Sequence, residues 1–246
     1  PKGPRRSVSY VHAPPVWRDL TEAQAEQAIV NGQNLLVLGI AGVGKTTICK
    51  RFVELLRALQ KKVDTIAKTH TASQRAGGVT VDHYVRRHIL HGASGAHAIW
   101  ADELFQIETT LWAQLQKLSG RQWLLSGDEN QFGALFDHWK GSVVPQDALL
   151  NSRFLHQLSG GNRLVLRECR RSEHELFGWY RSLIVGGSRF ETPLAQVLSE
   201  ARQRFHFDGP ARHNLCISHR RRIRLNAECN RHFKPAEGAV FVRCKA

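Results

Sequence analysis

Apolar and polar positions along the chain change their period several times, and each change marks an element. Leu35-Leu36-Val37-Leu38 is a short, unbroken apolar run, the pattern of a strand buried on both faces. Over residues 45–61, Ile48, Phe52, Leu55, Leu56 and Leu59 recur at helical spacing and form one apolar stripe. Residues 63–67, 98–101 and 123–126 read as further strands. Residues 20–30 and 80–90 read as helices, with Thr21 as the N-cap of the first. Strands alternating with helices predict an α/β fold with a doubly wound, mainly parallel sheet. In such sheets ligands bind just beyond the strand ends. Residues 1–19 are rich in proline, lack periodicity and read as an extended leader. After residue 158 the alternation starts again, with strands expected at 163–169, 214–219 and 239–243 and helices at 173–183 and 220–232. The expected organisation is a leader (1–19), a nucleotide-binding domain (20–158) and a partial second domain (159–246).

Composition narrows the class. Hydrophobic residues at 42% and charged residues at 23% are an ordinary globular balance, which excludes a disordered tail or a collagen-like rod. No apolar run approaches the length of a membrane span, so no membrane partner is expected. No secretory leader is visible either. The chain starts at Pro1 and has no Met, so it reads as an excerpt. Its five cysteines are odd in number and fit no disulfide framework, which points to a reducing, intracellular compartment. The 35 Lys and Arg against 21 Asp and Glu leave a net charge of +14. Nucleic acid is the commonest partner for such a field, and a solvated basic surface is the alternative.

Gly39-Ile-Ala-Gly42-Val43-Gly44-Lys45-Thr46 satisfies G-x-x-x-x-G-K-[ST] between a predicted strand and a predicted helix. Glycines let the backbone wrap a phosphate with its N–H groups inward, and the helix N-terminus adds positive potential. Gly39, Gly42, Val43, Gly44, Lys45, Thr46 and Thr47 are therefore the candidate nucleotide cradle. Lys45 is expected on the β and γ phosphates, and the Thr46 hydroxyl on Mg²⁺. Asp102-Glu103 follows the apolar strand at 98–101. An acid there is where a Mg²⁺ ligand is needed, so Asp102 is assigned to the metal through water. Glu103 is assigned as the general base that polarises the attacking water. Nucleotide kinases and switch GTPases share the loop, but no guanine-reading Asn-Lys-x-Asp is present.

Gly127-Asp128-Glu129-Asn130-Gln131 follows the strand at 123–126. This Gly-Asp-x-x-Gln resembles motif III of superfamily-1 helicases, and the order of motifs then resembles the RecD-like branch, the type found in eukaryotes and large DNA viruses. The likeness runs over roughly residues 20–245. It implies a RecA-like P-loop NTPase with a second, incomplete RecA-like domain, driven by ATP and Mg²⁺ along single-stranded DNA, 5′ to 3′. It implies that Gln24, in Leu20-Thr-Glu-Ala-Gln24, reads adenine. Gln131 would sense the γ-phosphate. Arg171, with Arg170 as a rival, would reach the γ-phosphate from a second lobe. No segment resembles motifs V or VI.

Thr69, His70 and Thr71, after the strand at 63–67, sit where the family contacts the single strand. Asp82 and His83 sit in its next contacting segment. Each has a plainer role as well: Thr69 or Thr71 as a helix cap, Asp82 as a first-turn acid, His83 as a packing residue. Trp100 and Trp123 lie within predicted strands and are expected in the core, whereas Phe132, after Gln131, is the candidate for base stacking. The run His219 to Arg224 suits either phosphates or a solvated face. Cys216-x-x-His219 and Cys229-x-x-His232 have zinc-ligand spacing, although Cys216 lies in an apolar run where a free cysteine is ordinary.

The partner expected is single-stranded DNA, with RNA left open and the oligomeric state unassigned. Two other readings stand beside the motor: a P-loop phosphotransferase acting on a small acceptor, and a catalytically weak nucleic-acid-binding remnant.

Overall fold

The computed structural model describes residues 15–118, 120–145, 147–185, 193–205 and 218–232. Seven strands form one sheet: β1 (Arg18–Asp19), β2 (Leu35–Leu38), β3 (Val63–Ala67), β4 (Val79–Thr80), β5 (Ala98–Asp102), β6 (Gln122–Gly127) and β9 (Asn162–Val165). Their order is β1-β9-β2-β6-β5-β3-β4, and every pairing is parallel. A short antiparallel hairpin, β7 (His138–Trp139) and β8 (Ser142–Val143), lies outside it.

The unbroken apolar runs follow from coverage of both faces. Alternate side chains of β2 diverge: Leu35 and Val37 enter one core, Leu36 and Leu38 the other. On the first face lie α1 (Glu22–Val30) and α2 (Lys45–Ala58), with Ile29, Ile48, Phe52 and Leu56 buried against Trp100 and Leu124. On the second lie α4 (Val81–Val85) and α5 (Thr109–Leu115), with Tyr84, Trp112 and Leu115 packed against Ile99, Trp123 and Leu125. Trp100 and Trp123 are core residues, as their place in strands implied. The expected doubly wound sheet is therefore present, and it is wholly parallel.

Several boundaries differ from expectation. Arg18 and Asp19, placed in the leader, form edge strand β1, held by Arg163 Nε donating to Asp19 Oδ1 at 2.6 Å. That bond, with burial acting against it, holds the Asp19 carboxyl below its ordinary pKa. The strand expected to open a second domain is β9, which inserts between β1 and β2 of the first sheet. By its contacts the chain forms two compact units, residues 1–184 and 185–246. Local pattern revealed the strand; only its partners reveal which sheet it joins. The helix expected at 80–90 is α4 followed by a π-helical turn, Arg86–Leu90.

Helix α6 (Arg153–Leu158) precedes β9, and α7 (His174–Val185) follows it. The second unit, residues 185–246, contains α8 (Leu194–Arg204) and α9 (His219–His232) among its described residues. His219 starts α9 instead of ending a strand. Ser218 before it is a bend, whereas residues 214–217 of that expected strand, and all of the one expected at 239–243, lie outside the described residues. No described helix is long and apolar enough to cross a membrane.

Candidate nucleotide and metal site

A parallel sheet delivers all its strand ends to one edge, so the segments after β2, β5 and β6 emerge side by side. The loop after β2 turns through Gly42 and Gly44, at φ +90° and +92°, conformations that side chains with a Cβ resist. Gly44 is the N-cap of α2 and offers no side-chain cap, which leaves the first-turn amides for an anion. Val43 is buried, and Thr47 is exposed at the start of the helix.

Lys45 is buried to 8% exposure, and its ammonium donates to Gly39 O at 2.8 Å and Ile40 O at 3.3 Å. A cation is thus held inside the turn. Thr46 Oγ1 donates to Asp102 Oδ2 at 3.4 Å. Asp102 is 2% exposed, and its other oxygen accepts from Ser126 Oγ at 2.7 Å and from the Glu103 amide at 3.1 Å. Ser126 accepts in turn from Trp100 Nε1 at 2.8 Å. The chain Trp100–Ser126–Asp102 fixes the carboxylate toward Thr46. Ser126 was missed as a site residue. Its signal was a hydroxyl inside an apolar strand, which must find a partner when buried. Thr46 and Asp102 supply oxygen only, the donor set that suits Mg²⁺.

Glu103 takes a left-handed conformation, φ 51° and ψ 45°, uncommon outside glycine and a mark of functional turns. Burial, then the neighbouring Asp102 and Asp128, push its pKa up, against Lys45 and Arg75 pulling it down. A carboxylate displaced in this direction is a stronger base when ionised.

After β6, Asp128 is buried and its Oδ1 accepts from the Asn130 amide at 2.9 Å. The turn closes with Gln131 N donating to Asp128 O at 3.1 Å, and Gln106 Nε2 reaches Gln131 Oε1 at 3.5 Å. Gln106 ends the 3-10 turn Leu104–Gln106 that follows Glu103, so Gln131 is tied back to the acidic segment. Phe132 beyond it is 87% exposed.

The segment after β9 lies over the phosphate loop. Arg170 N donates to Gly42 O at 3.0 Å, and Tyr180 Oη donates to Ala41 O at 3.0 Å. A Cβ built on Gly42 would stand 3.5 Å from Arg171 Cβ, and one on Gly44 3.4 Å from Arg170 Cδ. Both arginines therefore start beside the loop. The resemblance implied an arginine from a second lobe, whereas Arg171 belongs to the loop's own compact unit. Arg170 pairs with Glu22 at 3.2 Å, and Arg171 forms no ion pair with a described residue.

The remaining candidates are arranged as follows. Gln24 is exposed at the start of α1, where its Oε1 accepts from Thr21 N at 3.0 Å and its own amide donates to Thr21 Oγ1 at 3.3 Å, a reciprocal capping box. Thr69 caps α3 (His70–Ala76), accepting from the Ala72 amide at 3.1 Å. His70, Thr71 and His83 are exposed. Asp82 is exposed and accepts from Lys68 Nζ at 2.9 Å, which also bonds Glu108 at 2.8 Å. All five follow β3 or β4 on the same edge as the phosphate loop. Cys216 lies outside the described residues, and no group of three or more His, Cys, Asp or Glu suited to a metal occurs among those described.

With this geometry in view, the chain can be set beside known proteins. The family model of the AAA domain matches residues 19–137. No curated protein matches the chain. Among solved structures it is similar to the Pif1 helicase of Candida albicans, with a TM-score of 0.64 at 16% identity over 87% of this chain and 55% of that one. Bacteroides Pif1 bound to single-stranded DNA gives 0.57 at 18% identity, over 89% and 57%. Bacteroides Pif1 with ADP-AlF3 and single-stranded DNA gives 0.55 at 16% identity, over 89% and 59%. The fold is that of a RecA-like P-loop NTPase. The chain spans little more than half the length of these helicases.

Proposed function

We propose that this chain is the motor core of an ATP-dependent DNA helicase, which hydrolyses ATP to move 5′ to 3′ along single-stranded DNA and to unwind duplex. One observation carries the reading: Thr46 and Asp102, from two different strand ends, meet next to a buried Lys45 and a base-like Glu103.

In this reading Gly39, Gly42, Val43, Gly44 and Thr47 cradle the triphosphate with backbone amides, and Gln24 contacts adenine. Lys45 exchanges its carbonyl partners for the β and γ phosphates. Thr46 and, through water, Asp102 would hold Mg²⁺, which neutralises triphosphate charge. Glu103 takes the proton of the attacking water. Gln131 senses the γ-phosphate and relays its presence through Gln106. Arg171, without the acidic partner that engages Arg170, stabilises the charge developing in the transition state. Such an arginine is worth roughly 10³–10⁵ in rate.

Single-stranded DNA would cross the ends of β3 and β4, against Thr69, His70, Thr71, Asp82 and His83. The Bacteroides relative bound to single-stranded DNA supports that partner. The relative with ADP-AlF3 supports ATP as the fuel.

The test is ATP turnover with and without single-stranded DNA, in the wild type and in Lys45→Ala. Stimulation by DNA, absent from the variant, is the expected result. Turnover that ignores DNA but depends on a hydroxyl acceptor would replace the motor with a phosphotransferase.

A further inference from the structure

The positive charge of the chain is unevenly shared. Residues 185–246 hold 12 Lys and Arg against 5 Asp and Glu, a net +7, which is half of the total +14 in a quarter of the length. Helix α9 concentrates it, with five arginines and one acid in 14 residues. Arg220, Arg224 and Arg231 fall within about 40° of arc on one face and span about 17 Å along the axis. Arg221 flanks them about 60° further round. All four are exposed.

Arg224 pairs with Glu228 at 3.0 Å, but its side chain is 82% exposed, so the pair is weak and a phosphate can displace it. Ser218 Oγ accepts from the Arg221 amide at 3.2 Å, which fixes the start of the helix. Ser218, Arg220, Arg221, Arg224, Leu225 and Glu228 frame a concavity of about 610 Å³.

Charge of this density selects a polyanion; what the helix lacks decides which one. Surfaces that bind single strands combine basic groups with aromatic platforms on which bases stack. Helix α9 contains no Phe, Trp or Tyr. A row of arginines on a helix with no aromatic residue of its own reads the phosphodiester backbone, which duplex DNA presents continuously with its bases shielded.

We propose that the Arg220–Arg224–Arg231 face of α9 is a sequence-independent binding surface for the backbone of duplex DNA, separate from the single-strand track on the first unit. The assay for it contains no nucleotide, so it stands or falls independently of ATP hydrolysis.

The full 246-residue chain is titrated with a blunt duplex and with a single strand of equal length across a salt series, for the wild type and for R220Q/R224Q/R231Q. Loss of three phosphate contacts should make the duplex salt slope shallower by about 2.7 and lower low-salt duplex affinity by at least about tenfold, while single-strand affinity moves less than about twofold. Arg202→Gln, on exposed α8, should change neither. R220K/R224K/R231K keeps the charge and should keep the slope.

Wild type that does not bind duplex overturns the proposal. So does an unchanged duplex slope in the glutamine variant with its helix content intact by circular dichroism. Equal losses on duplex and single strand overturn the duplex assignment, and a lost slope in the lysine variant shows that phosphate charge is not what the face reads. Competition by polyglutamate as effective as that by duplex, at equal charge, would make the surface one for acidic protein.

Discussion

Thr46 Oγ1 and Asp102 Oδ2 lie 3.4 Å apart although 56 residues separate them in the chain. The closeness follows from strand order: β6 alone separates β2 from β5, and both end on the same edge. Ser126, on that intervening strand, holds Asp102 in place and is itself held by Trp100.

Ser126→Ala should therefore act in two ways. It leaves Trp100 Nε1 without a partner where Trp100 and Ser126 are both fully buried, at a cost of about 1–3 kcal/mol in stability. It also releases Asp102 Oδ1, which should raise the Mg²⁺ concentration for half-maximal ATP turnover by roughly 10–100-fold. Denaturant unfolding and a Mg²⁺ titration of turnover separate the effects. Unchanged Mg²⁺ dependence would remove Asp102 from the metal assignment.

Glu103 gives a pH prediction whose sign follows from its raised pKa. Between the unfolded and folded values the native state binds more protons than the unfolded chain. The contribution to stability is then greatest below the unfolded value, about 4.3 for an ordinary Glu, and is lost as pH rises through the folded one. Glu103→Gln removes that loss. It should melt higher than wild type at neutral pH, with the difference vanishing in acid, while hydrolysis is abolished. The acidic limb of wild-type turnover should lie above the ordinary Glu range. A limb at or below it would show that another group is the base.

Two glycines should respond oppositely to alanine. A Cβ on Gly127 would stand 2.9 Å from Phe105 Cδ2 and 3.1 Å from Leu104, so Gly127→Ala should cost about 1–3 kcal/mol and disturb the turn carrying Gln131. Gly178, within α7, has nothing within 4 Å of its Cβ position, so Gly178→Ala should stabilise by about 0.5–1 kcal/mol. Thermal unfolding of both variants checks the contrast.

These residues also mark what could be read from the chain alone. The loop at 39–46 announced itself because its chemistry is local: strand, glycines, lysine and helix follow in order. The apolar runs announced buried strands because both faces of each are covered. Strand order did not announce itself. Nothing in Asn162–Val165 says that it will pair with β2, so by its local pattern alone it reads as the start of a second sheet. Ser126 stayed hidden for the same reason, since its partners Trp100 and Asp102 lie on the neighbouring strand. Gly127 was legible as part of a motif, but the close approach of Leu104 and Phe105 that demands it was not.

Thr69 and Thr71 can be separated by what each does for the fold. Thr69 Oγ1 accepts from the Ala72 amide and caps α3, so Thr69→Ala should cost about 1 kcal/mol, and Thr69→Ser should restore most of it. Thr71 is exposed one position into the same helix and has no capping role. Its replacement by alanine should leave stability within about 0.5 kcal/mol of wild type. If the single strand crosses the end of β3, Thr71→Ala loses a hydroxyl donor to a phosphate, and single-strand affinity should fall by about tenfold. Melting curves and single-strand titrations of both variants decide the matter. Wild-type affinity in Thr71→Ala, with reduced affinity in Thr69→Ala only in proportion to its lost stability, would make this helix start a structural cap and move the strand's path elsewhere along the edge.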